Sequence, residues 1–302
     1  MRNRSYLMNI LVLAIFATVA CGTTATSERS SAPEAADADP SIVEIAAGNP
    51  DFSTLVAAAT AAGLLDTLSD PNAELTVFAP TDAAFAAFFA ESGLTPDALL
   101  ADKATLTKVL MYHVVPGRVS AADVMGLNKA GSAGGQNLFV HARSGEVFIN
   151  NAQVITADIS ASNGVVHVID RVLVPGSGSI VDIASKNQDF STLVALVANA
   201  GLVETLQGEG PFTIFAPTNA AFEAIIDVPQ GAALTSVLTY HALGQARFSR
   251  TLLDGEALAT VNGANAEISF ADGATIDGAK IVVTDIVATN GVIHVIDAVI
   301  TP

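Results

Sequence analysis

Five histidines, three tyrosines and one cysteine are the residues whose types could support acid–base, metal or nucleophilic chemistry. Four of the histidines form two matching pairs. His113 and His241 each follow a tyrosine, Tyr112 and Tyr240, while His167 and His294 each stand three residues before an aspartate, Asp170 and Asp297. An imidazole near a carboxylate suggests proton transfer or metal binding. The other reading makes each imidazole a core side chain bonded to backbone, with Asp170 and Asp297 closing strand ends. The repetition favours this second reading, since a fold constraint recurs wherever the fold recurs and a catalytic site need not. His141 follows His113 by 28 positions and has no counterpart at that point in the second half, so no repeated ligand pair emerges. Cys21 alone supplies neither a disulfide nor a zinc site built from four cysteines or from paired cysteines and histidines. The sequence holds no G-x-S-x-G, H-E-x-x-H, phosphate-binding or dinucleotide-binding pattern, and no D-x-D-x-D-G loop for calcium. No catalytic residue, metal or cofactor is expected, and the chain reads as something other than an enzyme.

The 302 residues, 51% hydrophobic and 14% charged, suffice for two ordinary domains. Thirteen basic residues against thirty acidic give a formal charge of −17. That balance argues against gripping nucleic acid or anionic lipid by charge, because both need clustered Lys or Arg.

Arg2 and Arg4 precede an uncharged run from Ile10 to Ala20. As a helix it would rise about 16 Å, roughly half a bilayer core, and no later stretch reaches the ~20 apolar residues a span requires. Residues 1–21 therefore read as a signal peptide. The junction Thr18-Val19-Ala20-Cys21 resembles a bacterial lipobox, with Thr18 where Leu is usual. This predicts lipid on Cys21; the alternative is an ordinary secretory signal in which Cys21 is incidental. Residues 22–40, rich in Ser, Thr, Ala, Pro and acids, lack any apolar period and read as a disordered tether.

The remainder is one unit written twice. SIVEIAAGNPDFSTLV from Ser41 returns as SIVDIASKNQDFSTLV from Ser179, with 12 of 16 positions identical. LTVFAPTDAAF from Leu75 returns as FTIFAPTNAAF from Phe212, and NGVVHVID from Asn163 as NGVIHVID from Asn290. The offset shrinks from 138 to 127, with about nine residues lost between the FAPT segment and the Tyr-His pair. Domains over 41–175 and 179–302 follow, joined by a short hinge at Pro175–Gly178 that limits their mutual orientation.

Within each unit, Asn49 or Asn187 caps a helix with apolar residues at helical spacing, ended at Gly63 or Gly201. Leu75–Ala79 alternates as a strand, and Thr81 or Asp82 caps an Ala- and Phe-rich helix over Ala83–Ala90. Val154–Ile159 and Val165–Ile169 read as strands, the second apolar on both faces and so central in a sheet. A helix-rich first half followed by a mainly antiparallel sheet makes each unit α+β.

TVFAPTDAAF, Tyr112-His113 and NGVVHVIDRVLVP, with their second-copy partners, resemble the fasciclin domain over about Pro40 to Pro302. The resemblance implies a β-sheet wedge flanked by helices in each unit, and adhesion or matrix binding rather than catalysis. It marks Thr81, Asp82, Asn163, Gly164, His167, Asp170 and, in the second copy, Thr218, Asn219, Asn290, Gly291, His294 and Asp297 as motif residues with structural roles. It also implies that the Tyr-His region takes part in adhesion, making Tyr112, His113, Tyr240 and His241 candidate contacts. Tyr112 precedes Val114-Val115-Pro116, so its ring reads equally as a core anchor, and packing is weighed above contact. The expected function is a surface-anchored adhesion lipoprotein at the cell envelope, on the outer membrane or cell surface. Its partner would be a cell-surface or matrix protein, a polysaccharide or another copy, and it would meet the membrane only through its lipid. The alternative is a periplasmic module for a small ligand, which an apolar cavity of several hundred Å³ would favour.

Overall fold

The computed structural model describes residues 39–143, 145–225 and 229–302. The expected signal peptide, Cys21 and all but the end of the expected tether lie outside them. Pro40, at that end, is already held, its carbonyl accepting from Ser162 N–H at 3.0 Å.

Ser41 opens helix α1 (Ile42–Gly48) through a capping box with Glu44. Asn49 accepts from Asp51 N–H and starts a 3-10 turn at Pro50, which runs into α2 (Ser53–Ala62). Gly63 stops α2 at φ 73°, a conformation that costs glycine little. α3 (Leu65–Leu68) precedes β1 (Leu75–Pro80). Thr81 then caps α4 (Asp82–Ser92), longer than its sequence pattern, and α5 (Pro96–Ala101) and α6 (Lys103–Tyr112) follow. β2 (Val114–Pro116) and α7 (Ala121–Met125) lead to β3 (Lys129–Gly131), β4 (Asn137–Arg143), β5 (Glu146–Ile149), β6 (Ala152–Ala161) and β7 (Gly164–Ile169). The seven strands form one sheet in the order β2-β1-β7-β6-β5-β4-β3, antiparallel except for β1 beside β7. That parallel pair brings the FAPT segment and the NGVVHVI segment into direct register.

The second copy repeats the plan with α8 (Ile180–Lys186), α9 (Ser191–Asn199), α10 (Val203–Gln207), β8 (Phe212–Pro217), α11 (Asn219–Glu223) and α12 (Ala232–Tyr240). Its strands are β9 (Ala242–Leu243), β10 (Ala257–Ala259), β11 (Asn265–Ser269), β12 (Thr275–Ile276), β13 (Ala279–Ala288) and β14 (Gly291–Ile296). They are ordered β10-β11-β12-β13-β14-β8-β9, with β14 and β8 parallel. The deletion falls on the helical layer: α11 is five residues where α4 is eleven, and among the described residues nothing matches α5. Both copies are α+β, each a sheet with flanking helices.

The central strands bury both faces, as their near-continuous hydrophobicity demands. Val77, Ala79, Val166 and Val168 pack with Ile42 and Phe52 on the helical side. Phe78, Ile169 and Tyr112 pack with Leu138, Val140 and Ile149 on the other.

The segment read as a hinge is docked on both sides. Gly176 N–H donates to Gln136 Oε1 at 2.9 Å, and Gln136 Nε2 donates back to Gly176 O at 3.0 Å. Thr289 N–H donates to Gly178 O at 2.9 Å. A Cβ at position 176 would lie 2.6 Å from the Ala288 carbonyl carbon, so the linker touches the second domain where only glycine fits.

Candidate functional site

The four paired histidines lie inside, and their partners fix their tautomers. A carbonyl only accepts and an amide N–H only donates. His113 Nδ1 therefore carries hydrogen and donates to Val109 O at 2.7 Å, while Nε2 accepts from Leu173 N–H at 2.9 Å. His241 repeats this with Val237 O at 2.8 Å and Ile300 N–H at 3.1 Å. The strand histidines use the opposite tautomer. His167 Nε2 donates to Val119 O at 3.0 Å and Nδ1 accepts from Asp158 N–H at 3.2 Å; His294 does the same with Arg247 O at 2.7 Å and Asp285 N–H at 3.3 Å. Asp158 and Asp285 stand at β-bulges with φ 58° and 62°, which turn their amides toward the rings. Each strand histidine also stacks on the FAPT phenylalanine beside it, Phe78 at 5.5 Å and Phe215 at 5.4 Å.

Burial pushes His113 and His241 down to about 4, and lowers His294 as well. These rings are neutral braces between strands, bulges and the chain's return segments.

The tyrosines are equally committed. Tyr112 OH donates to Asn137 O at 2.9 Å and accepts from Asn150 Nδ2 at 2.9 Å. Tyr240 OH meets Asn265 O at 2.9 Å and Asp277 Oδ2 at 2.6 Å. Burial raises both hydroxyls to about 12. The four candidate contacts are thus interior: Tyr112 is 1% exposed, His113 2%, Tyr240 4% and His241 3%. All four rings face the interior, the side on which the packing reading places them. The apolar residues flanking each pair draw it into the core.

The remaining motif residues are joints. Asn163 Oδ1 accepts from Ile42 N–H, and its Nδ2 donates to Leu68 O and Asp70 O; Asn290 repeats this with Ile180, Leu206 and Gly208. A Cβ at Gly164 would lie 2.0 Å from Leu75 O, and one at Gly291 2.1 Å from Phe212 O, so the parallel strands approach only because both are glycine. Thr81 and Thr218 cap α4 and α11. Asp82 and Asn219 reach across instead, accepting from Thr54 and Thr192 N–H at the start of α2 and α9. Asp170 and Asp297 accept from Gln153 and Lys280 N–H at strand ends.

Asp170 has a further partner in the other domain, the Arg250 guanidinium at 2.8 Å. It belongs to a clasp that sequence reasoning missed. Phe139 and Phe248 meet across the joint at 6.4 Å, in a cluster with Ala246 and Val292. Arg250 also bonds Asn151 O at 3.2 Å and lies over the Phe148 ring at 5.7 Å. Asn151 Nδ2 donates to Asp285 Oδ2 at 2.9 Å. Arg247, 5% exposed, pairs with Glu256 and reaches His141. The sequence signal is weak: Arg247 and Arg250 stand where the first copy has Val119 and Ala122, within a stretch where the two copies share few residues. Beside the clasp is an open cleft of about 450 Å³, lined by Ala87, Phe88, Arg171, Val174, Arg250 and Asp285 among others. Its charges are largely spent on protein, Arg171 on Glu91 and Asp285 on Ser249 and Asn151.

Comparison with known proteins matches the fasciclin domain model at residues 50–175 and 188–302. Protein sll1483 of Synechocystis is 47% identical over 163 residues, 52% of this chain and 87% of that protein. Transforming growth factor-beta-induced protein ig-h3 of Sus scrofa is 35% identical over 240 residues; the match covers 75% of this chain and 34% of the length of that relative. A solved FAS1 domain pair from the insect cell adhesion molecule fasciclin I aligns with 83% of this chain and 95% of its own, at 19% identity and a TM-score of 0.39. The motif histidines, glycines and asparagines that brace each sheet are therefore set in two fasciclin domains, and the chain belongs to the fasciclin family.

Proposed function

We propose that the chain is an exported adhesion module, held at the cell envelope by lipid on Cys21 and binding a cell-surface or matrix protein or polysaccharide through its outer faces. The observation that carries this reading is the inward commitment of the repeated chemistry: every paired histidine and Tyr-His tyrosine is spent on bracing backbone. The two domains are clasped, so their outer faces are offered at a fixed spacing. Family membership supports the reading through the adhesion that the resemblance implies. The alternative, a small-ligand module, needs an apolar cavity of roughly 300–1,000 Å³. The apolar voids beneath the helical layers are only about 80 Å³ in the second domain and 40 Å³ in the first. The larger cleft is open and has its charges paired.

Cells carrying the wild-type chain, the Cys21→Ser variant or no chain should be compared for retention on partner cells and matrix-coated surfaces. The wild type should fractionate with membranes, carry an acyl adduct by intact mass and confer retention. Cys21→Ser should release the chain and lose retention. Equal retention without the chain would end the adhesion reading; unchanged fractionation of Cys21→Ser would end the lipid anchor alone.

A further inference from the structure

His141 is the histidine without a counterpart in the second copy, and it sits at the joint between the domains. It lies on β4, opposite Phe148 of β5. Arg143 is two residues along the same strand, 3.8 Å from Glu146 and 5.8 Å from the Phe148 ring centre. From the second domain, Arg247 places Nη1 3.2 Å from His141 Nε2 and 3.5 Å from Nδ1, against the face of the ring. The other Arg247 nitrogen, Nη2, is tied to Glu256 and, at 3.0 Å, to Thr251 O. A neutral imidazole face accommodates that cation, whereas an imidazolium would meet it charge to charge.

We infer that His141 is an acid-sensitive latch on the domain joint. Neutral, its ring receives the Arg247 cation and helps hold the first domain against the second. Protonated, it becomes a second cation against Arg247, with Arg143 beside them. Glu256 offsets part of this repulsion but is already engaged by Arg247 and by Leu253 N–H at 3.1 Å. The apolar surface buried in the joint is Phe139, Ala246, Phe248 and Val292.

The electrostatic setting agrees in sign. Burial lowers the His141 pKa from 6.5; Arg247 and Arg143 lower it further, and Glu256 opposes them. A ring released from the joint regains its ordinary affinity for protons, so the open form binds the proton more tightly. Acid therefore shifts the pair toward opening, by up to tenfold per pH unit while the closed form stays neutral. Below the closed-form pKa both forms are protonated and the shift levels off.

The test uses the full mature chain with fluorophores on either side of the joint, followed from pH 8 to 4.5. Far-UV circular dichroism is recorded in parallel, and the His141 imidazole is titrated by NMR. Energy transfer should fall and an apolar-surface dye should bind as pH drops below 6.5, while circular dichroism stays constant. The His141 titration should track the transition. His141→Gln puts a polar side chain there that does not take up a proton, and should hold the joint closed over that range. Glu256→Gln removes the compensating carboxylate and should move the opening to higher pH. Opening of His141→Gln alongside the wild type would overturn the latch, as would a wild-type joint that stays shut until circular dichroism itself falls.

Discussion

Because Leu173 and Ile300 amides donate to Nε2 of His113 and His241, a proton on either ring would displace a bond that a buried amide cannot replace. In the unfolded chain these imidazoles take protons near 6.5, and in the folded chain near 4. Above 6.5 neither state binds the proton and their contribution to stability is complete. Between 6.5 and 4 only the unfolded state binds it, so stability falls on the order of 1 kcal/mol per pH unit for each ring, then levels off. Denaturant melts at pH 7.5, 5.5 and 4.5 should show this decline, and a flat profile would contradict the bracing role. The strand histidines make a separate test. His167→Ala strands Val119 O and the Asp158 amide, at about 1–3 kcal/mol for each group left unpaired. A thermal melt should lose several degrees in the first domain's transition with metal content unchanged. Stoichiometric zinc lost on substitution, at unaltered stability, would make His167 a ligand instead.

At the scale of elements, the fold turns on the parallel pair β1–β7 and its copy β8–β14. Gly164→Ala sets a methyl against Leu75 O where no flexible side chain can yield, so the strands must separate. Such a variant should lose at least about 2 kcal/mol from the first domain alone, read as an earlier first transition in urea. The equivalent change at Gly131, where nothing stands within 4 Å of an added Cβ, should have little effect. These elements were largely legible in the sequence. Asn49 and Thr81 announce helix starts, Gly63 announces an end, and the apolar run Val165–Ile169 reveals a strand buried on both faces. The residues that join elements were less so. Asp82 looks like a local cap, yet it braces a helix 28 residues earlier. Thr76 gives no sequence signal, but its hydroxyl accepts from Val119 N–H at 2.8 Å and donates to Gly117 O at 2.7 Å. Local spacing records helices and strands; it does not record which distant backbone group a short polar side chain will meet.

For the molecule as a whole, the clasp joins two different faces. Phe139, on the first domain's β4, corresponds in the second to Glu267: the Phe139 amide donates to Asn150 and the Glu267 amide to Asp277, in the same place. Phe248 corresponds in the first domain to Ser120, since Val119 and Arg247 both donate their amides to the matching threonines, Thr76 and Thr213. A head-to-tail contact of this kind, repeated between molecules, would build an open fibre. Here the two ends that would continue the row carry glutamate and serine where the internal joint carries phenylalanines, and the expectation is that they do not extend it. Sedimentation should find one mass across a wide concentration range. Glu267→Phe combined with Ser120→Phe and Ala122→Arg should restore sticky ends and drive concentration-dependent assembly. If that assembly appears, a duplicated domain carries its own chain terminator, written where the copies diverged.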